Sequence, residues 1–345
     1  MDAPTAAGLV LGALADALLG DPRRRHPVAG FGQAAGALER QLWRDSRLAG
    51  AGYTAICVGT TAAAGTAAHL VTRGSPVART AITAVATWAV LGGTSLGRAA
   101  TVMAGHLAAD DLPAARAQLP SLAGRDPRDL AEPELVRATV ESVAENTSDA
   151  AVAPLFWGAV AGVPGLLAYR AVNTLDAMVG YRSTRYARFG WASARLDDVL
   201  NWAPARLTAA LTVACAPLAG GSASGALRAW RRDGAQHPSP NAGRCEAAMA
   251  GALGVRLGGR NVYGTRVEER PHLGDGRLPV RGDVSRAVRL SRAVWTAAAV
   301  LAAAQACHRG PIGSLQRCTA ARHHGRTGRP GARPRSLAHN PIARR

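Results

Sequence analysis

The chain has 345 residues, of which 48% are hydrophobic, so it has enough apolar material for one large core or two smaller ones. All 41 basic residues are arginines, which excludes mechanisms that need a lysine, such as a Schiff base or a Walker A phosphate loop. The formal charge of +18 favours an anionic partner, but twelve of the arginines lie in residues 284–345. Aromatic residues make up only 4% of the chain, and its sequence contains no nucleic-acid-binding motif. No nucleic-acid partner is therefore expected.

The N-terminal segment, residues 3–19, is apolar but contains Asp16 and has no preceding basic region, so it lacks the features of a signal peptide. A turn-rich basic sequence, GDPRRRHP, follows at residues 20–27. Three adjacent arginines beside an apolar segment are typical of the cytoplasmic flank of a membrane helix. An anion-binding loop is the alternative.

Charge-free runs follow, and several are long enough to cross a bilayer. Residues 48–72 and 80–97 form runs of 25 and 18 residues, each bounded by arginines. A membrane helix needs ~20 apolar residues, so both qualify, although their Ala, Gly and Thr content makes them only mildly hydrophobic. Residues 150–169 and 207–227 are runs of 20 and 21 residues, whereas 293–308 has only 16. These runs predict a polytopic membrane protein.

The run at 150–169 is unusual for a simple span because it contains Pro154, Pro164 and three glycines. If it crossed the membrane, Glu145 and Asp176 would lie on opposite sides, which is difficult to reconcile with one active site. Irregular backbone is tolerated at membrane depth where it lines a protein cavity. We therefore expect a re-entrant or partly buried element here.

The remaining segments are more polar. Residues 98–149 are expected to form a soluble helical hairpin, and residues 228–283 are loop-rich with one helix at 245–257. The glycine-rich sequence GGRNVYG follows that helix and either cradles phosphate or is only a turn. Residues 309–345 are rich in Arg, Gly, Pro and His without apolar periodicity, so we expect a disordered basic tail.

One stretch in the middle of the chain concentrates acids and amides. Glu141, Glu145 and Asp149 are spaced i, i+4, i+8, so in a helix they lie on one face, and Asn173 and Asp176 follow at i, i+3. Hard oxygen ligands one turn apart suit Mg²⁺, which takes one or two carboxylates plus substrate phosphates. A solvated acidic helix face is the alternative, although the apolar surroundings favour a functional site.

The chain contains, in this order, the strings GDPRRRHPVAGFG, ESVAENTSDAAVAPLFW, YRAVNTLDAMVGYRSTRYARFGWASARLDDVLNWAPARLT and HPSPNAGRCEAAMAGALGVRLGGRNVYG, the last followed by EERPHLG. With these strings it resembles the adenosylcobinamide-phosphate synthase family of cobalamin biosynthesis, also called the CobD/CbiB family, over roughly residues 20–283. The basic end departs from the family pattern. The resemblance therefore divides the chain into an enzyme domain, 1–308, and a tail, 309–345.

The resemblance implies an all-α, polytopic integral membrane protein of the plasma membrane, with roughly four to six hydrophobic helices and polar functional loops. The implied reaction joins aminopropanol, or its phosphate, to the free propionate of adenosylcobyric acid as an amide, with ATP as co-substrate and Mg²⁺ as the metal. Because a carboxylate does not condense with an amine at neutral pH, we expect activation as an acyl phosphate, for which alignment and charge neutralisation matter most. The lipid bilayer and other membrane enzymes of the corrin pathway are the implied partners.

Roles for individual residues follow from this implied chemistry. Four acids are expected to hold Mg²⁺: Glu141, Glu145, Asp149 and Asp176. Three residues are candidates to orient or deprotonate the amine: Asp197, Asp198 and His237. Arginine clamps phosphate in bidentate geometry, and asparagine both donates and accepts, as a substrate covered in carboxamides requires. The expected substrate-binding residues are Asn146, Asn173, Arg195, Asn201, Arg206, Asn241, Arg260 and Asn261.

Two other classes of protein stay open at this point. A membrane transporter would also explain apolar runs with acids among them, and substrate-dependent ATP turnover without amide formation would identify it. A non-catalytic membrane assembly factor of the corrin pathway would bind partner enzymes, and its function would survive replacement of the acids by alanine. Whether the amine arrives phosphorylated is also open.

Overall fold

The computed structural model describes residues 3–21, 26–181, 183–263 and 266–308. The predicted basic tail, 309–345, lies outside the described residues, so its prediction is not tested. The described part of the chain is mainly helical with one small sheet. In chain order its elements are α1 (Ala3–Leu19), α2 (Pro27–Leu42), α3 (Arg47–Thr72), α4 (Pro76–Val90), α5 (Gly93–Ala108), α6 (Leu112–Gln118), α7 (Glu132–Thr147), α8 (Ala153–Val179), α9 (Trp191–Leu200), α10 (Trp202–Cys215), α11 (Ala223–Asp233), α12 (Ala242–Leu253), β1 (Leu257–Tyr263), β2 (Arg266–Leu273) and α13 (Arg281–His308).

Among the residues that the structure describes, four helical stretches are long and apolar enough to span a bilayer. Large apolar side chains point outward from them, including Leu48 and Val71 on α3, each 85% exposed. Apolar surface on this scale is expected where a protein faces a membrane. The helical, polytopic membrane architecture predicted from the sequence is thereby confirmed. The four stretches are Arg47–Thr72, Pro76–Ala108, Glu132–Val179 and Arg281–His308.

Two predicted spans are interrupted in the structure. Residues 80–97 divide between α4 and α5 at Leu91–Gly92, where Gly92 donates its N–H to the carbonyl of Ala150 at 3.0 Å. Residues 207–227 divide between α10 and α11. The prediction for 80–97 is confirmed with a break in its helix, because the stretch Pro76–Ala108 is long and apolar enough to span a bilayer. Residues 207–227 instead form parts of two separate helices, because helix continuity depends on where the backbone groups find their partners and not on composition alone.

The last predicted run, 293–308, belongs to the longer helix α13, which has 28 residues. Arginines in its first half interrupt the apolar pattern, which is why the sequence analysis placed the start of the run too late. In the structure these charges are paired: Arg281 donates from Nη2 to Glu132 at 2.6 Å, and Arg286 donates to Asp283 at 2.9 Å. Pairing lets the helix continue through its charged half.

The segment 150–169 folds back on itself. A π-helical turn, Ser148–Val152, joins α7 to the first half of α8. The chain then reverses at Gly162, whose φ of +65° and ψ of −149° are not helical, just before Pro164, which has no N–H to donate. The reversal brings Tyr169 within 3.3 Å of the carbonyl of Asp149, as the expected re-entrant or partly buried element requires.

The polar segment 228–283 contains a hairpin that the sequence analysis did not predict. β1 pairs antiparallel with β2, and Arg260 lies opposite Glu269. The predicted helix at 245–257 ends earlier, at Leu253, because left-handed Gly254 closes it. A bulge near Gly258 interrupts the ladder between the strands, and this bulge brings backbone to the site described below.

Two apolar clusters hold these elements together. The larger contains buried side chains from α1, α4, α5, α7, α8 and α10–α13. The smaller joins α2, α3 and α8 to the turn after α8, where the ring of Tyr53 lies 5.1 Å from that of Phe189. The junction of α7 and α8 lies inside the larger cluster, so polar groups on it are surrounded by protein.

Candidate functional site

Acids and amides meet where α8, α9 and the π-helical turn come together. Asn173 donates to Oδ2 of Asp149 at 3.4 Å and to Oδ1 of Asp197 at 3.5 Å. Asn201 donates to Oδ2 of Asp197 at 2.9 Å, and Tyr169 donates to Oδ1 of Asn201 at 2.8 Å. These side chains are buried or half-buried. We refer to Asp149, Tyr169, Asn173, Asp176, Asp197 and Asn201 as the acid cluster.

The π-helical turn positions Asp149 in this cluster. Eight residues exceed two full turns of 3.6 residues by about 80°, so Asp149 is displaced around the helix from Glu141. Two groups contact the turn from outside. The N–H of Gly92 donates to the carbonyl of Ala150 at 3.0 Å, and the hydroxyl of Tyr169 lies 3.3 Å from the carbonyl of Asp149. The i, i+4, i+8 pattern therefore does not produce one site.

Asp176 lies one turn along α8 from Asn173 and interacts electrostatically with Asp197 and Asp198. Gly180 ends the helix beside it and donates its N–H to the carbonyl of Asp176 at 2.7 Å. A Cβ at position 180 would lie 1.9 Å from Oδ1 of Asp176, so only glycine leaves room for this carboxylate. The helix end thus determines where Asp176 points.

The two adjacent acids of α9 have different surroundings. Burial raises the pKa of Asp197 to about 6, the hydrogen bonds from Asn201 and Asn173 lower it, and Asp198 and Glu145 raise it. Asp198 instead lies 3.6 Å from the exposed Arg195, an ion pair at the surface. Asp197 is therefore the α9 acid that belongs to the cluster, a choice that the sequence analysis left open.

The donor set of the acid cluster is compatible with Mg²⁺. Asp149 and Asp176 interact electrostatically with each other, and both supply hard carboxylate oxygens. Among the described residues, no three His, Cys, Asp or Glu side chains form a metal site on their own. A Mg²⁺ that takes one or two carboxylates and completes its shell with substrate phosphates does not need a third.

Glu141 belongs to a different environment. It forms a buried ion pair with Arg125, and the N–H of Gly258 donates to its Oε1 at 2.7 Å. Gly258 has a φ of +82°, which the bulge in β1 requires and which other residues rarely adopt. Arg137 ties the same strand to α7 by donating to the carbonyl of Arg260 at 2.6 Å. Both oxygens of Glu141 have protein partners, and Glu141 shares its surroundings with Glu145 rather than with Asp149 and Asp176.

A cavity of about 150 Å³ lies beside this ion pair. Glu145 lines it, and Glu145 also interacts electrostatically with Asp149, Asp176 and Asp197, so the cavity adjoins the acid cluster. The sequence analysis missed three residues of this cavity, Arg125, Glu246 and Arg270. The last two lie within the strings GRCEAAM and EERPHLG, which carry the resemblance. We call this space the arginine cavity, and its polar lining is Arg125, Glu141, Ser142, Glu145, Glu246 and Arg270.

His237 lies beside the arginine cavity, with both ring nitrogens occupied. Its Nδ1 accepts from the N–H of Ser239 at 3.0 Å, so in the neutral ring Nε2 carries the proton and faces Glu246 at 4.0 Å. Nη1 of Arg270 also lies 3.2 Å from Nε2, but because both groups carry protons this contact is not a hydrogen bond. Burial, and then Arg270, lower the pKa of His237 to about 4. The geometry favours a structural role over that of the predicted second base.

Burial also raises the pKa of Glu246 well above its ordinary value, and the neighbouring Glu141 and Glu145 add to the shift. Glu246 is 2% exposed and lies on α12, on the far side of the cavity from α7. A carboxyl group in this setting binds protons more readily than an exposed one.

Arg206 and Asn241 connect α10 to the loop before α12. The guanidinium of Arg206 stacks 4.2 Å from the ring centroid of Trp202, and its Nη1 donates to Oδ1 of Asn241 at 3.4 Å. Asn241 donates to the carbonyl of Asp198 at 2.8 Å. These two predicted substrate-binding residues therefore support the C-terminal half of α9.

The other predicted substrate-binding residues are dispersed. Asn146 donates to the carbonyl of Ser142 at 3.0 Å on its own helix, and Arg195 and Arg260 are exposed. Asn261 is 2% exposed, and neither its Nδ2 nor its Oδ1 has a hydrogen-bond partner. A buried amide in that state costs ~1–3 kcal/mol, as expected of a group that a ligand satisfies.

Comparisons with known proteins show the family of the chain. The profile of the family described as CobD/Cbib protein matches residues 9–291. The chain is 56% identical over 307 residues to a protein of Mycobacterium tuberculosis named cobalamin biosynthesis protein CobD, covering 89% of this chain and 97% of that protein. No solved structure matches. A protein of the same name from Geobacter metallireducens is 46% identical, covering 80% of this chain and 89% of that protein. Another from Chromobacterium violaceum is 44% identical, covering 86% of this chain and 95% of that protein. The chain therefore belongs to the CobD/CbiB family.

Proposed function

We propose that this chain is a membrane enzyme of cobalamin biosynthesis that forms an amide between the free propionate of adenosylcobyric acid and aminopropanol or its phosphate. Family membership supports the pathway, and the observation that carries the chemistry is the acid cluster. Its carboxylates Asp149 and Asp197 share the amide of Asn173. A solvated acidic helix face would leave these groups exposed, whereas they are at least half-buried.

The proposed reaction consumes ATP. The terminal phosphoryl group passes to an oxygen of the propionate, and the amine nitrogen then forms the C–N bond while the C–O bond to phosphate breaks. The products are the amide, ADP and phosphate. A nitrogen that starts as ammonium loses two protons, one to free its lone pair before attack and one after the C–N bond has formed. No lysine is present to hold the triphosphate, so arginines and a metal ion must neutralise its charge.

Each member of the acid cluster has a proposed role. Asp149 and Asp176 would hold Mg²⁺, which when bound neutralises charge on the transferred phosphoryl group. Asp197 faces the same network and is positioned to accept a proton that the amine loses. Asn173 and Asn201 hold Asp197 from its two oxygens, at 3.5 and 2.9 Å, and so orient it.

Recognition of the corrin would need amide groups. Adenosylcobyric acid presents many carboxamides, and asparagine side chains such as that of Asn261 on β1 match that chemistry. The proposal places the enzyme in the plasma membrane, surrounded by lipid and in reach of other corrin-pathway membrane enzymes.

Reconstitution tests the proposal. Purified protein in detergent receives adenosylcobyric acid, ATP, Mg²⁺ and either aminopropanol or aminopropanol phosphate, and mass spectrometry detects the amide. The variant Asp197→Asn, which keeps the side-chain shape, should form almost none. ATP hydrolysis that depends on a corrin but gives no amide would favour a transporter. Unchanged product formation by the variant would remove Asp197 from the mechanism.

A further inference from the structure

The arginine cavity is lined by charged groups of both signs, and the roles proposed above assign no function to them. Arg125 and Arg270 contribute guanidinium groups to its lining, and Glu141, Glu145 and Glu246 contribute carboxyl groups. Both signs of charge therefore face one small space. A cavity that served only to bind an anion would not need three carboxyl groups in its wall.

The charged groups of the cavity are held in place by the fold. Arg125 is paired with Glu141, whose other oxygen receives the N–H of Gly258 at 2.7 Å. Arg270 lies 3.7 Å from Glu268 and 3.2 Å from Nε2 of the buried His237. These side chains do not have to be ordered by a ligand, which lowers the entropic cost of binding.

The size of the cavity limits its ligand. Its volume of about 150 Å³ is well below the ~300–1,000 Å³ of pockets for drug-sized molecules. At ~30 Å³ per water in the liquid, it corresponds to about five waters. The cavity is open to solvent on one side, so this volume limits only the part of a ligand that it surrounds, which is the size of a short chain with a few heavy atoms.

The cavity adjoins the acid cluster through Glu145. This residue lines the cavity and also interacts with Asp149 and Asp197. A cationic group bound next to Glu145 therefore faces the carboxylate that we propose as proton acceptor.

We propose that the arginine cavity binds the amine substrate as a zwitterion, with its phosphate against Arg125 and Arg270 and its ammonium against Glu145. The inference rests on the proposed function and deepens it by assigning the amine substrate to a site of its own, the arginine cavity. Guanidinium groups bind phosphate by charge-assisted hydrogen bonds, and a carboxylate binds ammonium in the same way. A short amino-alcohol phosphate ester has both groups at its two ends.

Binding without turnover provides the test. Purified protein in detergent, without ATP or corrin, is titrated calorimetrically with aminopropanol phosphate, 2-aminoethyl phosphate, aminopropanol and inorganic phosphate. Both esters should bind about tenfold or more tightly than aminopropanol or inorganic phosphate. Aminopropanol lacks the phosphate group, and inorganic phosphate lacks the ammonium group. Equal affinity for inorganic phosphate and the esters, or no binding of the esters, would overturn the assignment.

Two variants separate the two ends of the ligand. Arg270→Gln should weaken both esters and inorganic phosphate, whereas Glu145→Gln should weaken the esters and leave inorganic phosphate unchanged. Arg128→Gln is the matched control because Arg128 is exposed and pairs only locally, 2.5 Å from Asp126. A folded Glu145→Gln protein that binds the esters as tightly as the parent would refute the ammonium site even if Arg270→Gln fails to fold.

The same chemistry occurs in a lipid headgroup, so a further arm distinguishes the sources. Protein in phosphatidylethanolamine vesicles is compared with protein in phosphatidylcholine vesicles. If ethanolamine lipid competes with 2-aminoethyl phosphate, the cavity is a lipid site and the substrate assignment is wrong. Because no assay here includes ATP or corrin, a protein that binds the esters yet forms no amide would refute the proposed function and leave the amine site standing.

Discussion

The hydroxyl of Tyr169 donates a 2.8 Å hydrogen bond to Oδ1 of Asn201, and the side chain of Tyr169 is 1% exposed. Since Oδ1 of Asn201 accepts from the tyrosine, its Nδ2 must face Asp197, to which it donates at 2.9 Å. The tyrosine therefore determines the orientation of the amide and, through it, of the proposed proton acceptor.

Replacement of Tyr169 by phenylalanine should lower turnover while the fold persists. A hydrogen bond of this kind contributes ~1 kcal/mol, so we expect about a fivefold loss of rate and a small loss of thermal stability. Amide formation and unfolding in detergent measure the two effects. An unchanged rate with lowered stability would show that the tyrosine only supports packing.

Replacement of Asp176 by asparagine should lower turnover steeply and raise the Mg²⁺ concentration needed for half-maximal rate. A charged hard ligand becomes a neutral one at nearly constant shape, which weakens the metal without a change in packing. Asp129→Asn, at an exposed loop position, is the control. If both variants show the parent's Mg²⁺ dependence, Asp176 does not bind the metal.

The buried ion pair of Arg125 and Glu141 makes a prediction about stability. Their side chains are 7% and 4% exposed, so Glu141→Gln or Arg125→Gln leaves the partner as an uncompensated buried charge. Each single variant should lose ~3–5 kcal/mol of unfolding free energy, and the double variant should lose less than the sum. Denaturation in detergent measures the cycle. Additive losses would mean that the two side chains are not coupled.

His237 should make the protein acid-sensitive. Its pKa is lowered to about 4 in the folded protein, against ~6.5 when unfolded, so between these values the unfolded state binds more protons. The stability that the neutral ring contributes is present above pH ~6.5 and is lost as pH falls towards 4, by at most ~1.4 kcal/mol per pH unit.

The variant His237→Asn tests this pH dependence because its Oδ1 can still accept from the N–H of Ser239. The melting temperature of the parent in detergent should fall between pH 6.5 and 4.5 more steeply than that of the variant. Parallel curves would indicate that other groups cause the acid sensitivity.

The basic tail has its own prediction. Residues 309–345 carry no acid and no apolar periodicity, so burial would not offset the ~1–2 kcal/mol per residue that ordering the backbone costs. A chain ending at Arg309 should keep its turnover in detergent and bind anionic vesicles less tightly, with a difference that disappears at high salt. Loss of turnover in detergent would show that the tail contributes to the site.

The sequence by itself determined the membrane character, the family and most members of the acid cluster. Apolar runs near 20 residues predict spanning helices because the bilayer imposes that length. The sequence alone identified four of these members, because acid and amide side chains are easily recognised within an otherwise apolar segment. They are Asp149, Asn173, Asp197 and Asn201. The hairpin at 257–273 was missed because its bulge and glycines obscure the period-two pattern of a strand.

Only the tertiary structure decided how these acids are divided between two environments. Glu141 has partners 16 and 117 residues away, Arg125 and Gly258, and such distant contacts leave no local pattern. The same holds for Arg270, which β2 brings to the wall of the cavity beside Glu145. The spacing of residues along one helix predicts which side chains share a face. Which of them share a site depends on the elements that pack against that helix, and long-range contacts select those elements.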